Sequence, residues 1–427
     1  MKVLLISTSD TKGGSARATL RLHQGLQKIN VDSQILVQTK HINDRTIFGL
    51  RAGSGIGQVI AGSRLTLGQL PLKFFPDYDG SAYSIQWLPD NIASKVDQLE
   101  PDVVNLHWIC NSFLKIETLT KFNKPIIWTL HDMWPFTGGC HYSGECDRYT
   151  GSCGACPQLG SHRDGDLSRW IWQRKAKAWR NLDLTIVTVS SWFSECVSSS
   201  SLFKDLRVEV IPNGLDAEKY RPINKQVARD ILRLPQDKQL LLFGALGATS
   251  DKRKGFHLLQ PALQDLSQGV WQNKLELLIF GASQPENPPQ FGFKAHYLGH
   301  LSDDLTLALV YSAADVMIVP SIQESFGQTA SEALACGTPV VAFNATGLKD
   351  IVEHQQNGYL AQPYKVEDLA RGTAWVLENE ERYQKLVYYA REKVEQEFAL
   401  EIPARRYKSL FNEILDRSDR KKNVTTN

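Results

Sequence analysis

Two glutamates eight positions apart, Glu324 and Glu332, bracket the segment E-S-F-G-Q-T-A-S-E. It follows an apolar run, Val316–Val319, and leads into A-L-A-C-G, so it reads as strand, glycine-containing loop and helix N-terminus. The first turn of a helix has unpaired amides and the positive end of the macrodipole, which favours an anion. A carboxylate beside such a pocket is costly unless hydroxyl groups hydrogen-bond to it. A phosphate on the amides with sugar hydroxyls on Glu324 and Glu332 meets both needs; an acid that merely faces the helix dipole is the simpler alternative. In D-K-R-K-G-F, Asp251–Phe256, the basic side chains Arg253 and Lys254 are of the type that neutralises a leaving diphosphate. T-K-G-G-S-A-R, Thr11–Arg17, follows the first apolar run, and Gly13 with Gly14 permits close backbone approach to a ligand. It is not G-x-G-x-x-G, so a nicotinamide fingerprint is unsupported. His131-Asp132 ends the run Ile126–Leu130; on its own such a histidine is structural at least as readily as functional.

The elements that must position these residues are short β-branched runs alternating with helical-period stretches. Val3–Ser7, Ser33–Thr39, Val103–His107, Ile126–Leu130 and Leu184–Val189 form one set. A second begins at Leu206–Ile211 and continues through Gln239–Phe243, Leu275–Phe280, Val316–Val319 and Pro339–Phe343. Buried strands alternating with helices predict parallel sheets covered on both faces, here two doubly wound α/β domains divided near Ser199–Leu206 with a cleft between them. Val366–Asp416 reads as helices and Lys421–Asn427 as a frayed polar tail. The 427 residues allow two or three domains. With 48 basic and 46 acidic residues, net charge +2, there is no strongly basic face of the kind nucleic-acid binding needs. No apolar run approaches the ~20 residues of a membrane span, and Met1–Ser7 is too short for a secretory segment. These features predict a cytoplasmic protein.

Cys110, Cys196 and Cys336 stand singly, as reduced core thiols do. Cys140, Cys146, Cys153 and Cys156 fall in C-x5-C-x6-C-x2-C. Four thiolates can enclose a structural zinc, with His141 as a substitute ligand; buried unligated thiols and disulfides are the other readings, the last disfavoured in a reducing compartment. Trp170, Trp172 and Trp179 interleave with Arg169, Arg174, Lys175, Lys177 and Arg180. An amphipathic helix with tryptophans inside and a solvated basic face accounts for this, as does a membrane-interface surface. Leu65–Phe75 invites the same two readings.

Glu-x7-Glu followed by A-C-G-T-P-V-V-A, with I-P-N-G-L-D upstream at Ile211–Asp216, resembles the retaining glycosyltransferases of family four, which adopt the GT-B fold of two Rossmann-like domains. The resemblance implies that Glu324 contacts the donor sugar and Glu332 the nucleotide ribose, with Ser325, Phe326, Gly327 and Gln328 at sugar and diphosphate. It carries Lys254, before Gly255, onto the leaving diphosphate. The arginine usual after the preceding strand is missing from Gly244–Gly247, and Arg253 is its substitute. Gly13 and Gly14 would face the diphosphate, and His131 would support the reacting sugar with Asp132 as orienting partner, so that His131, Lys254 and Glu324 are the catalytic set. The implied domains are an acceptor-side domain over 1–203 with a cysteine-rich insertion at 138–160, a donor domain over 204–395, and a C-terminal helix over 396–427 packing back on the first. The implied partners are a nucleotide-diphosphate sugar and a glycan or lipid-linked glycan acceptor in polysaccharide biosynthesis, with peripheral contact at the inner face of the membrane. No Asp-x-Asp is suitably placed, so no metal or other cofactor is expected in catalysis.

Overall fold

A computed structural model describes residues 1–51, 63–245 and 247–425. The chain divides into two compact units, Met1–Pro212 with Pro403–Asn427, and Asn213–Ile402.

The first unit holds seven strands: β1 (Lys2–Ser9), β2 (Asp32–Thr39), β3 (Ile47–Arg51), β4 (Val103–Leu106), β5 (Ile126–Leu130), β6 (Leu184–Thr188) and β7 (Arg207–Val210). They pair in the order β3-β2-β1-β4-β5-β6-β7, and every pairing is parallel. The central strands β4, β5 and β6 are buried along their whole length, which is why they read as unbroken apolar runs rather than alternating ones. β7 is the correction to the sequence reading. The sequence pattern places Leu206–Ile211 in the second set, yet Arg207–Val210 pairs with Thr185–Thr188 and closes the first sheet. Its alternation, R-V-E-V, is that of a half-exposed edge strand, so it resembled a boundary. The division accordingly lies after Pro212, not at 203, and the chain leaves the second unit at Ile402 rather than at 395.

The helix Glu401–Thr425 completes the first unit. Ala404, Tyr407, Phe411 and Ile414 recur at helical spacing and pack into the cluster of Val3, Leu5, Leu22 and Ile127. The Tyr407 hydroxyl is 2.9 Å from Thr129 Oγ1 on β5. The helix continues through Thr425, so the polar stretch from 421 is not a frayed coil; residues 426–427 lie outside the described residues.

The second unit repeats the plan with β8 (Gln239–Gly244), β9 (Leu275–Phe280), β10 (Ala295–Tyr297), β11 (Val316–Val319), β12 (Val340–Phe343) and β13 (Gly358–Ala361), in the order β10-β9-β8-β11-β12-β13. All of its pairings are parallel. Asp315, at the start of β11, is held by Lys225 Nζ (2.6 Å), Arg229 Nη2 (2.7 Å) and the Leu240 amide (2.6 Å), a buried charge with its partners in place. Among the described residues no helix is long and apolar enough to cross a membrane.

Phe411 is fully buried. Phe411→Ala is therefore expected to cost about 3–5 kcal/mol, read by urea denaturation as a lower midpoint. A cost below about 1 kcal/mol would show that the C-terminal helix adds no core to the first sheet.

Candidate functional site

In each sheet the strand order reverses once, between β1 and β4 and between β8 and β11. Open parallel sheets bind ligands beyond the carboxyl ends of the strands at that switch point. Lys254 follows β8 and Glu324 follows β11; Gly13 follows β1, and His131 follows β5.

In the second unit one close approach assembles the site. Asp251 caps the short turn Lys252–Lys254, its Oδ1 accepting from the Arg253 amide at 2.9 Å. Gly255 follows with φ 73°, and a Cβ there would lie 1.8 Å from the Pro320 carbonyl oxygen. Only glycine lets this turn lie against the end of β11. The Ile322 amide then donates to the Arg253 carbonyl at 2.8 Å. The two loops so joined bring Lys254 Nζ to 2.6 Å from Glu324 Oε1, which also accepts from Ser321 Oγ at 3.0 Å. Burial would raise the Glu324 carboxyl, but Lys254, Arg253 and the bonds from Lys254 and Ser321 outweigh it and hold it below the usual glutamate range. From behind, Thr346 Oγ1 accepts from the Glu324 amide at 3.2 Å and the Gly347 amide donates to the Glu324 carbonyl at 2.9 Å.

The helix Gln328–Ala335 starts at this point with Gly327 as its N-cap, φ 111°. Ser325 and Gln328 are half-buried beside that turn. Phe326 departs from the expectation: its ring is buried in an edge-to-face contact with Phe398, so any ligand contact from this residue is by backbone. Glu332 is buried inside the helix, where the Tyr311 hydroxyl donates to its Oε2 at 2.8 Å. Burial, then Glu332, pushes the Tyr311 hydroxyl well above its ordinary value, so it remains a donor. Tyr311 has no local sequence signal, because it lies on another helix, Asp304–Ala313. Arg253 is braced within the loop, to Asp251 Oδ2 at 2.7 Å and the Gln323 carbonyl at 3.0 Å. Gly244–Gly247, the segment without the expected arginine, includes Leu246, which lies outside the described residues.

In the first unit Gly13 caps the helix Gly14–Lys28 with φ 93°, a conformation L side chains rarely adopt, so the glycine pair does open a helix N-terminus. His131 Nε2 lies 2.9 Å from Nδ1 of His107, the residue after β4. Asp132 orients a different ring from the one expected. Its Oδ2 accepts from Trp108 Nε1 (2.5 Å) and pairs with His141 Nδ1 (2.6 Å), and its Oδ1 accepts from the Trp134 amide (3.0 Å). His141 Nε2 is 2.9 Å from Ser84 Oγ, so both ring nitrogens are engaged and His141 is no substitute ligand for the cysteines.

Cys140, Cys146, Cys153 and Cys156 all line one small cavity with Tyr83 and Tyr149, and all four are free thiols. Burial raises the thiols of Cys140, Cys153 (to about 11) and Cys156. Among the described residues no three His, Cys, Asp or Glu side chains stand together as a group able to hold a metal ion. Beside them Lys175 is fully buried, donating to the carbonyls of Trp134 and Thr137, and burial lowers its amine to about 7. The basic face of the helix Leu167–Trp179 is therefore not uniformly solvated: Lys175 and Trp179 point inward, Arg174 pairs with Glu117, and Trp170 is exposed.

Residues 12–219 match the family model described as Glycosyltransferase Family 4, and residues 224–393 match that described as Glycosyl transferases group 1. The chain belongs to the family-four glycosyltransferases. A D-inositol 3-phosphate glycosyltransferase of Catenulispora acidiphila is 33% identical over 184 residues, 40% of this chain and 43% of that one. An uncharacterized glycosyltransferase of Methanocaldococcus jannaschii is 31% identical over 204 residues, 45% of this chain and 50% of that one. The chain thus spans about half or less of the length of these two curated relatives. Sucrose-phosphate synthase from Thermosynechococcus elongatus superimposes with a TM-score of 0.70 at 19% identity, over 98% of this chain and all of that one. HepE of Anabaena, solved with UDP and glucose, gives 0.61 at 15% identity over 96% and 99%. The two parallel sheets of this family-four chain are the Rossmann-like halves of the GT-B fold.

The Lys254–Glu324 pair makes a pH prediction. A carboxylate held below its ordinary value stabilises the fold above that value, and the contribution is lost as pH falls through the folded one. Lys254→Met should lower stability near neutral pH by about 1–3 kcal/mol and flatten the acid limb of a stability–pH profile. An acid limb unchanged by the substitution would separate Lys254 from Glu324.

Proposed function

We propose that the chain transfers a sugar, with retention of configuration, from a nucleotide-diphosphate sugar to a glycan or lipid-linked glycan acceptor in polysaccharide biosynthesis. The observation that carries this reading is the junction of Lys254, Glu324 and the N-terminus of Gln328–Ala335 at the switch between β8 and β11. Solved neighbours of like fold that hold UDP and UDP-glucose support the donor class. The donor binds Asn213–Ile402. Its diphosphate sits on the amides opening the helix, and Lys254 is drawn onto it, because negative charge grows there as the sugar–phosphate bond breaks. Glu324, held as a carboxylate, accepts from the hydroxyls of the sugar being transferred. Glu332, fixed by Tyr311, accepts from the ribose. The acceptor oxygen bonds to the anomeric carbon as the phosphate oxygen leaves, and the acceptor proton passes to that phosphate. Rate then comes from positioning and leaving-group stabilisation, with no cofactor required. The acceptor is held by Met1–Pro212. Exposed Phe74, Leu67 and Leu70 support contact between this unit and the cytoplasmic membrane face.

The reading is tested by incubating the protein with a panel of nucleotide sugars and following donor hydrolysis and thermal stabilisation, then adding acceptors, D-inositol 3-phosphate among them. Hydrolysis of at least one donor is expected; stabilisation without hydrolysis would favour a non-catalytic sugar- or nucleotide-binding scaffold, and a silent panel would overturn the donor class. Glu332→Ala should raise donor KM, because ribose contacts are equal in ground and transition states. Glu324→Ala should lower kcat more, because contacts at the reacting sugar are not. Equal effects of the two variants on both parameters would contradict this division of roles.

We also propose a structural zinc at Cys140, Cys146, Cys153 and Cys156, a reading supported by the cavity that all four line. One zinc per chain after purification without added metal is the expected result. Less than about half an equivalent, with four thiols that react freely only on unfolding, would leave buried thiols as the state of the segment.

A further inference from the structure

The helix Gln328–Ala335, which opens at the candidate donor site, has eight residues. A helix that short is marginal alone, so its placement is set by what holds it. Both of its ends are held by one stretch of chain, Arg391–Phe398. At the C-terminal end Arg391 Nη1 donates to the Ala335 carbonyl at 2.8 Å, a group the helix itself leaves unpaired. The same guanidinium donates to the carbonyls of Tyr220 (2.7 Å) and Ala217 (2.9 Å), and its Nε donates to Glu395 Oε1 at 2.6 Å. A cation there also faces the negative end of the helix dipole. At the N-terminal end the ring of Phe326 lies edge-to-face against Phe398, with centroids 5.6 Å apart. Both rings are at most 2% exposed. Gly327, the N-cap between Phe326 and the helix, supplies no side-chain cap of its own.

Arg391 belongs to the helix Glu380–Lys393, which runs directly into a single π turn, Val394–Phe398. The turn closes with the Ala399 amide donating to the Val394 carbonyl at 2.9 Å. Such turns are rare and recur at functional sites. From Arg391 to Phe398 the helical rise is at most about 10 Å, against about 12 Å for the short helix they hold. The stretch is therefore long enough to meet one end with a guanidinium and the other with a ring. It is anchored in turn, because the Phe398 carbonyl accepts from the Leu215 amide at 2.8 Å.

We infer that Arg391 and Phe398 are positioning residues of the donor site: they hold the helix Gln328–Ala335 at its two ends, and so fix where its first amides meet a diphosphate. Neither touches the ligand. Arg391 acts through the end of the helix and Phe398 through Phe326. The identity of the ligand rests on the proposed transfer reaction; the two-ended grip does not. Helix amides stabilise an anion best when they are in place before it arrives, since none of the binding energy is then lost to reorganisation. Arginine suits its position because a planar fork serves several carbonyls at once, which an ammonium on a flexible stem does not reproduce.

The test uses the full chain and two conservative variants, Phe398→Leu and Arg391→Lys. Amide hydrogen exchange reads Ala330 and Ser331, whose N–H groups donate to the Gly327 carbonyl in the first turn, with the amides of β9 as reference. Each variant should speed exchange at Ala330 and Ser331 about two- to tenfold and leave β9 unchanged. Unchanged exchange in both variants would overturn the inference. Calorimetry then identifies which of UDP, GDP and ADP binds the unsubstituted protein most tightly. That diphosphate should bind each variant about three- to tenfold more weakly. Its nucleoside, followed by saturation-transfer spectra, should bind all three proteins alike, because only the diphosphate meets the helix amides. Equal losses for diphosphate and nucleoside would show a general loosening of the unit and overturn the positioning role. Coupling is reciprocal, so the bound diphosphate should also slow exchange of the Ala399 amide in the unsubstituted protein. Binding of none of the three diphosphates would remove the proposed donor, while the exchange data, which need no ligand, still decide whether the helix is held from both ends.

Discussion

The candidate donor site depends on how closely two loops can lie. Gly255 rests against the carbonyl of Pro320 at a distance that excludes any side chain, and the pairing of Lys254 with Glu324 follows from that approach. It allows the Arg253–Ile322 backbone bond, which in turn brings Lys254 onto Glu324. The strand order makes the meeting available, since β8 and β11 are neighbours at the one point where that order reverses. A larger residue at 255 would part the loops and leave Glu324 half-buried without its cation, a costly state for a carboxylate.

The first unit solves a similar problem by dividing its polar groups into closed sets. Asp132 is buried as an anion because Trp108, His141 and the Trp134 amide face its two oxygens. Burial pushes that carboxyl up, and these partners more than reverse the effect. Lys175, buried nearby, is satisfied by two backbone carbonyls and lies 3.6 Å from the centroid of the Trp134 ring. Asn105, His107 and His131 form a second hydrogen-bonded set beside it.

Much of this was legible beforehand. Buried parallel strands announce themselves as β-branched runs, because both faces are covered and no alternation is required. Glu324, Lys254 and the Gly13 turn were visible as residue types placed directly after such runs. β7 was misplaced because an edge strand half-exposed to solvent loses the apolar signature. Phe326 was grouped with donor contacts by its neighbours in sequence, whereas its ring is claimed by Phe398, seventy-two positions away. Lys175 looked like one of several solvated basic residues until packing showed it inside.

The sequence by itself determined the class of each element, the double α/β plan and the loops that carry chemistry, because those depend on local pattern and on residues near in the chain. The tertiary structure alone decided which groups meet. Tyr311 reaches Glu332, His107 reaches His131, and Tyr407 reaches Thr129 across 278 positions. Such pairs are set by strand order and helix return, which bring distant residues to hydrogen-bonding distance. A hydrogen bond constrains two partners only once they meet, so neither residue carries a local trace of the other.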